Sequence, residues 1–491
     1  IPLLALPELQ DLATHAADAT GDHGASENTL NLNLVENLPG WQTALVTLGA
    51  ICAVAAGGAY LTDPIFRFVS RARLRELFVM TALMIVLGIA NLRAVLSEGS
   101  IEYAFGGWTA PVGIAWLDDP LAAIVVLTVS VVALLSLIYG RLVVSPKLEK
   151  SVPYYTLILL FIAALVGVVF AADLFNVFVF LEVAALTGYA LVGASGGKAL
   201  VYAFRYLLLG SFGATLYLLG VSYLYAATGT LNMADLATRI PELITSTAVV
   251  GGLIFVFHGL SIKMALIPLH GWLPGAYANA PHSVAPLLAS TVTKVALVAW
   301  VRIEYSLIAP GIEVSHVAVL VLLEDIGVLA AVIGGALALV QTDVKRIFAY
   351  GGISHIGLIL VGVSLGNSTA MAGGLFYLIN DALMQATLFM IAGAVVHYHG
   401  AQTLDDLRGV SSRSPWLTGA LVVVAISMVG LPPTGGFFGK WNIVLGALEA
   451  QHYLAVFAVL ASTLLTLGYF LRLFSSWFHQ PVNIQTEQLQ V

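Results

Sequence analysis

The sequence predicts an all-α polytopic membrane protein of about 13–14 transmembrane helices, and three observations predict it. Hydrophobic residues make up 59% of the 491 and charged residues only 10%, with a mean hydropathy of +0.95. A soluble domain carries about 25% charged residues, so this composition cannot build a water-facing surface. The apolar runs are mostly twenty residues or longer, the length that crosses a hydrocarbon core of about 30 Å. In lipid every backbone polar group is satisfied within the span, which leaves helices or closed barrels. Barrel strands are about ten residues of alternating pattern, so helices are the reading. Lys and Arg cluster in polar stretches that follow odd-numbered spans, as they do in the loops on one side of a multi-spanning chain.

In chain order, residues 1–40 form an acidic irregular segment. Residues 1–10 are apolar but lack a basic start, so no intact signal peptide is expected. Spans follow near 41–61, 76–94, 121–141, 153–172, 174–194, 201–226 and 247–268, then near 283–303, 316–340, 346–366, 371–396, 416–447 and 453–475. Residues 41–150 are read as flanking helices, 151–305 and 315–475 as two repeats, and 476–491 as a tail. The segment 231–243 is short and amphipathic and is expected at the interface. Residues 1–40 hold Glu8, Asp11, Asp18, Asp22, Glu27 and Glu36 but no Lys or Arg. Basic stretches hold Arg67, Arg71, Arg73 and Arg75, then Arg141, Lys147 and Lys150, then Lys345 with Arg346, then Arg408 with Arg413. Their alternation puts the N-terminus outside and the C-terminus, near Arg472, inside.

Two spans are interrupted. One reads Lys263-Met264-Ala265-Leu266-Ile267-Pro268-Leu269-His270-Gly271-Trp272-Leu273-Pro274, the other Gly430-Leu431-Pro432-Pro433-Thr434-Gly435-Gly436-Phe437-Phe438-Gly439-Lys440. Proline removes a backbone donor, which a membrane tolerates only where the break is buried or wet. Paired broken helices in corresponding halves point to an inverted-repeat transporter and its pathway. Pro268, Pro274, Pro432 and Pro433 mark the breaks.

An ionisable side chain at the bilayer centre costs at least about 2.5–3.5 kcal/mol, so each such residue demands a reason. The candidates are Glu182, Lys263, Lys294, Asp381 and Lys440, with His258, His270 and His355 nearby. A static ion pair or a snorkelling side chain accounts for any one of them. Five on different helices, two beside helix breaks, point instead to proton or cation transfer. Lys263 and His270 are seven apart and so share a helical face, though Pro268 intervenes. His282, His397 and His399 are read as interfacial, and Glu324 with Asp325 either as a cation-binding spot or, in preference, as the sign of a span that begins later than drawn. Asp343, Lys345 and Arg346 read as an ion-paired anchor. The single cysteine, Cys52, allows no disulfide framework, and no cofactor or metal motif is present. No phosphate-binding loop, nucleophile elbow or HExxH motif supports an ATP-driven pump or a hydrolase.

Several of these runs resemble the antiporter-like subunits of respiratory complex I and of Mrp-type cation/proton antiporters. They are Asp173-Leu174-Phe175-Asn176 through Glu182, the Lys263-to-Pro274 run, Thr293-Lys294-Val295, Gln341 through Tyr350, and the Gly430-to-Lys440 run. Ala226 through Leu236 looks most like the D-type component of Mrp. The resemblance implies two inverted five-helix repeats, each with a broken helix. It implies Glu182 and Lys263 as the paired carboxylate and lysine, Lys294 as a bridge toward the centre, and Lys440 as the second broken-helix lysine. The family commonly has histidine and lysine where Asn380 and Gln385 stand here, so the second half would depend on Asp381, Lys294, His355 or water. The implied function is a proton-translocating subunit of a multisubunit Na⁺/H⁺ antiporter in the bacterial cytoplasmic membrane. Its partners would be other membrane subunits, lipid, H⁺ and Na⁺, without nucleic acid. A proton-pumping subunit of complex I or of a membrane-bound hydrogenase, and a non-conducting scaffold, are the alternatives.

Overall fold

The computed structural model describes residues 74–145, 148, 152–307 and 318–479. The span expected at 41–61, the arginines before Leu74, and Lys147 and Lys150 lie outside the described residues.

The described chain opens with α1 (Leu74–Glu98), a hairpin of β1 (Ile101–Ala104) and β2 (Ala115–Asp118), and α2 (Pro120–Val143). The first repeat region holds α3 (Val152–Phe170), α4 (Leu174–Gly193), α5 (Lys198–Thr228), α6 (Met233–Leu243), α7 (Thr247–Lys263), α8 (Leu273–Asn279) and α9 (Ala285–Leu307). The second holds α10 (Ala318–Val340), α11 (Val344–Ser364), α12 (Ser368–His399), α13 (Val410–Arg413), α14 (Pro415–Val429), α15 (Gly435–Glu449) and α16 (Tyr453–Phe478). Among these, nine helices are long and apolar enough to cross a membrane. The spans expected from residue 76 onward all appear, two of them as the broken pairs α7/α8 and α14/α15. The chain is a multi-pass membrane protein.

Helix ends follow from local chemistry. The Asp119 side chain accepts from Ala122 N at the start of α2, and Asn367 does the same for Ala370 N at the start of α12. α5 and α12 close on Gly229 and Gly400, both left-handed, where the missing Cβ makes that conformation cheap. The amphipathic segment forms α6, which buries Met233, Leu236 and Ile240 on one face. The hairpin was not expected. Its strands pair antiparallel, Ile101 opposite Asp118 and Ala104 opposite Ala115, and four residues are too few to show a period-two pattern.

The two halves carry one local device at opposite ends of the bundle. Asp173 caps α4 and Asp343 caps α11, each the second helix of its half. Each aspartate bridges to the stretch after the third helix, Asp173 to Asn232 and Asp343 to Thr403. The flanking bonds match as well. Leu174 N donates to Leu231 O and Met233 N to Ala172 O; Val344 N donates to Gln402 O and Leu404 N to Thr342 O. Five crossings separate the two aspartates, and an odd number places them on opposite faces. Among the described candidate spans α9 and α11 are the most enclosed, with 94% and 89% of their apolar windows buried, and they carry Lys294 and His355.

Candidate functional site

Glu182 is the ninth residue of α4, about 13 Å along the helix from the Asp173 cap, so it lies well inside the bundle. Lys263 is the last residue of α7. The helix stops there because Ala265 turns left-handed (φ 56°) and Ile267-Pro268 follows. A helix C-terminus carries partial negative charge, which suits a lysine. Lys263 Nζ lies 2.6 Å from Glu182 Oε1; the lysine is buried and Glu182 keeps 22% of its side chain exposed. A void of about 10 Å³ lined by Phe178, Tyr217 and Gly259 adjoins the pair, about the room of one water.

At the centre three helices converge. Lys294 Nζ of α9 is 2.8 Å from Asp381 Oδ2 of α12, and His355 Nδ1 of α11 is 2.8 Å from Asp381 Oδ1. All three side chains are buried, and Lys294 also donates to Ala289 O. His355 Nε2 has no partner, and the ring meets Tyr377 edge-on at 5.6 Å. Beyond Tyr377 lies Lys440, whose amine is 5.7 Å from the ring centre. Lys440 donates to Met428 O at 2.8 Å, to Val429 O at 3.3 Å and to Thr463 Oγ1 at 3.3 Å. Met428 and Val429 end α14. Lys440 therefore neutralises the C-terminus of a half-helix by reaching back from α15, whereas Lys263 ends its own half-helix and turns its amine to Glu182. Among the described residues no carboxylate pairs with Lys440.

The structure does not bring every expected residue to this line. His258 precedes Lys263 by five residues, about 140° around α7, and its half-buried ring turns to Ile254 O at 2.8 Å. His270 sits in the break, where helical spacing no longer relates it to Lys263; its ring faces Tyr350 at 6.0 Å and its Nδ1 is without a partner. Pro268 lies in the first break, Pro274 in the first turn of α8, and Pro432 with Pro433 between α14 and α15. Gln385, one turn beyond Asp381, is buried with its amide nitrogen free.

Other polar groups escaped the sequence reading. Lys345 is no partner of Asp343, which is occupied in capping α11 through Arg346 N; its buried amine sits 2.8 Å from His282 Nδ1. His282, read as an ordinary interfacial residue, is thus drawn into the fold. Arg302 pairs with Asp119 at 3.1 Å, and Trp300 Nε1 donates to Glu304 at 2.8 Å, all at the far end of α9. The signal for these was present, since Arg302 and Glu304 alternate with Trp300, Val301 and Ile303 in an apolar run. α10 begins at Ala318, so Glu324 lies in its second turn, buried, within 3.0 Å of His452 Nδ1. The residues immediately before Ala318 lie outside the described ones; within the described fold the acid has His452 as its partner.

The charged line falls within residues 171–466, which match the family described as NADH:quinone oxidoreductase/Mrp antiporter, TM. The chain is 41% identical over 406 residues to the N-type component of the NADH-quinone oxidoreductase of Desulforudis audaxviator, covering 80% of this chain and 79% of that one. It is 34% identical over 400 residues to the D-type component of the Na(+)/H(+) antiporter of Bacillus subtilis, covering 80% and 79%. A chain of the Mrp complex from Dietzia sp. DQ12-45-1b superposes with a TM-score of 0.78 at 27% identity, over 90% of this chain and 81% of that chain. With its two broken helices and its buried charges inside the matched region, the chain belongs to the NADH:quinone oxidoreductase/Mrp antiporter family as an antiporter-type membrane subunit.

Proposed function

We propose that the chain translocates protons as one subunit of a multisubunit Na⁺/H⁺ antiporter of the bacterial cytoplasmic membrane. The observation that carries the reading is the line of Glu182–Lys263, Lys294–Asp381–His355 and Lys440, three groups of buried charge resting against two broken helices. A buried ammonium is tolerated while a carboxylate or a helix end faces it and becomes costly when that partner is lost. A proton reaching Glu182 removes the partner of Lys263, which then passes its own proton inward through water toward Lys294. Asp381 holds Lys294 and His355 together on its two oxygens and so couples the first half to the second. Tyr377 and water carry the line on to Lys440. With an amide at Gln385, the second half works through Asp381 and His355.

The test is ΔpH-driven Na⁺/H⁺ exchange in everted vesicles carrying the complete complex, with Lys263→Ala against wild type. Loss of Na⁺-dependent exchange in the variant, at unchanged assembly, is expected; normal exchange sinks the proposal. The identity to a respiratory N-type component favours a second reading, a proton-pumping subunit of a redox-driven complex. Co-purification with flavin and iron–sulfur subunits, and pumping on addition of a redox substrate without Na⁺ dependence, would select that reading.

A further inference from the structure

On the face that carries the basic loops, a cavity of about 390 Å³ opens between the foot of α5, the turn from α8 to α9 and the start of α11. Lys198, Lys345 and Arg346 line it, against one acid, Asp343, whose Oδ1 is occupied in capping α11. The buried Lys345 amine meets His282 and the Ala278 carbonyl but no carboxylate. His282, which lies outside the spans, reports the resulting field. Burial first, then Lys345 and His397, push its imidazole down to about 4.

The positive charge continues up α5. Lys198, Tyr202 and Arg205 stand at i, i+4 and i+7 and so share one face. The Arg205 guanidinium lies 5.6 Å from the centre of the Tyr202 ring, and the Tyr202 hydroxyl accepts from Arg346 at 3.1 Å. Among the described residues no carboxylate is within ion-pair distance of Lys198, Arg205 or Arg346. Beside this stripe runs an apolar one, Val201, Phe204 and Leu208, exposed by 54%, 59% and 53%.

We propose that this cavity and the adjoining face of α5 bind one anionic phospholipid, its phosphate against Lys198, Arg205 and Arg346 and its acyl chains along Val201, Phe204 and Leu208. Uncompensated lysine and arginine at the cytoplasmic end of membrane helices attract anionic headgroups, and arginine matches a phosphate with two parallel donors. Free phosphate shares the headgroup chemistry, but it has no use for the apolar stripe. The site stands apart from the charged line and does not depend on ion exchange.

The experiment uses the intact complex, delipidated in mild detergent and titrated with phosphatidylglycerol, bound lipid being counted by native mass spectrometry. Lys198→Gln/Arg205→Gln is expected to weaken binding about 30-fold. Lys198→Arg/Arg205→Lys is expected to keep it, which separates loss of charge from loss of fold. Phosphatidylethanolamine and excess inorganic phosphate are expected not to compete. Equal binding by wild type and the glutamine variant overturns the proposal. Displacement by phosphate alone reassigns the cavity to the free anion and overturns the lipid. A crosslink from Lys198 to an acidic segment of another subunit, with no lipid retained, overturns it in favour of a protein partner.

Discussion

Asp381 holds two partners, the Lys294 ammonium on one oxygen and the His355 imidazole on the other, with none of the three open to solvent. Removing one member of a buried pair costs about 3–5 kcal/mol, because the survivor keeps its desolvation penalty without its partner. Asp381→Asn should therefore lower the thermal stability of the purified complex by about that amount and abolish exchange. Asp381→Glu should restore most of the stability. If Asp381→Asn exchanged normally, the aspartate would be a structural pin only. His282 allows a prediction of opposite chemistry. Its imidazole titrates near 4 in the folded chain against about 6.5 unfolded, so below about pH 6.5 the unfolded chain binds protons more readily. The stability contributed by the neutral ring is complete above that pH and is lost as pH falls toward 4, by at most about 3 kcal/mol. Thermal unfolding of wild type and His282→Gln between those pH values should show the wild type losing more; parallel losses would place the acid sensitivity elsewhere. Glu182, Lys263, Lys294, Asp381 and Lys440 were legible in the sequence because charge inside an apolar run is conspicuous. Lys345 and His282 were not, because residues near a span end look solvated until another element covers them.

Each broken helix makes a site by ending inside the bundle. α14 closes on Gly430 at φ 86°, and a Cβ added there would stand 3.2 Å from Lys440 Cδ. Gly430→Ala meets both a left-handed backbone and the stem of the lysine it serves, so it should cost about 1–2 kcal/mol and reduce exchange. Gly419→Ala, in the second turn of the same helix with open space around it, is the control and should be neutral or slightly stabilising. Equal effects at the two glycines would show that the cap geometry does not matter. Proline and glycine announced both breaks in the sequence. The position of Lys440 after its break gave no hint that its amine would serve the C-terminus of the half-helix before it. That contact comes from the reach of a lysine stem across the turn, which spacing along the chain does not express.

At the scale of the whole molecule, an odd number of crossings turns one half over relative to the other. Ser195, at the foot of α5, and the loop with Gln402 border the same cavity, while Ser368 begins α12 at the opposite end, about 48 Å of helix away from His399. The basic loops predict that the Ser195 end faces the cytoplasm. In a Cys52→Ser background, Ser195→Cys should react with a membrane-impermeant maleimide in everted vesicles, and Ser368→Cys in right-side-out vesicles. The reverse pattern would invert the orientation, and equal labelling would mean leaky vesicles or an unassembled chain. Both serines are exposed, so reaction reports sidedness rather than burial.

By itself the sequence determined the solvent, the helical class, the spans among the described residues and the two breaks, because lipid imposes length and apolarity on each segment separately and proline acts on its own backbone. It also marked which charges were expensive. Beyond the Glu182–Lys263 pair that the family resemblance implied, only the tertiary structure decided which charges meet. The joining of Lys294 and His355 by Asp381, the withdrawal of His258, the Lys345–His282 pair and the hairpin over the start of α2 depend on contacts between segments far apart in the chain. Those contacts are set by how helices rotate and pack against one another, and a periodicity read along one helix does not contain that rotation.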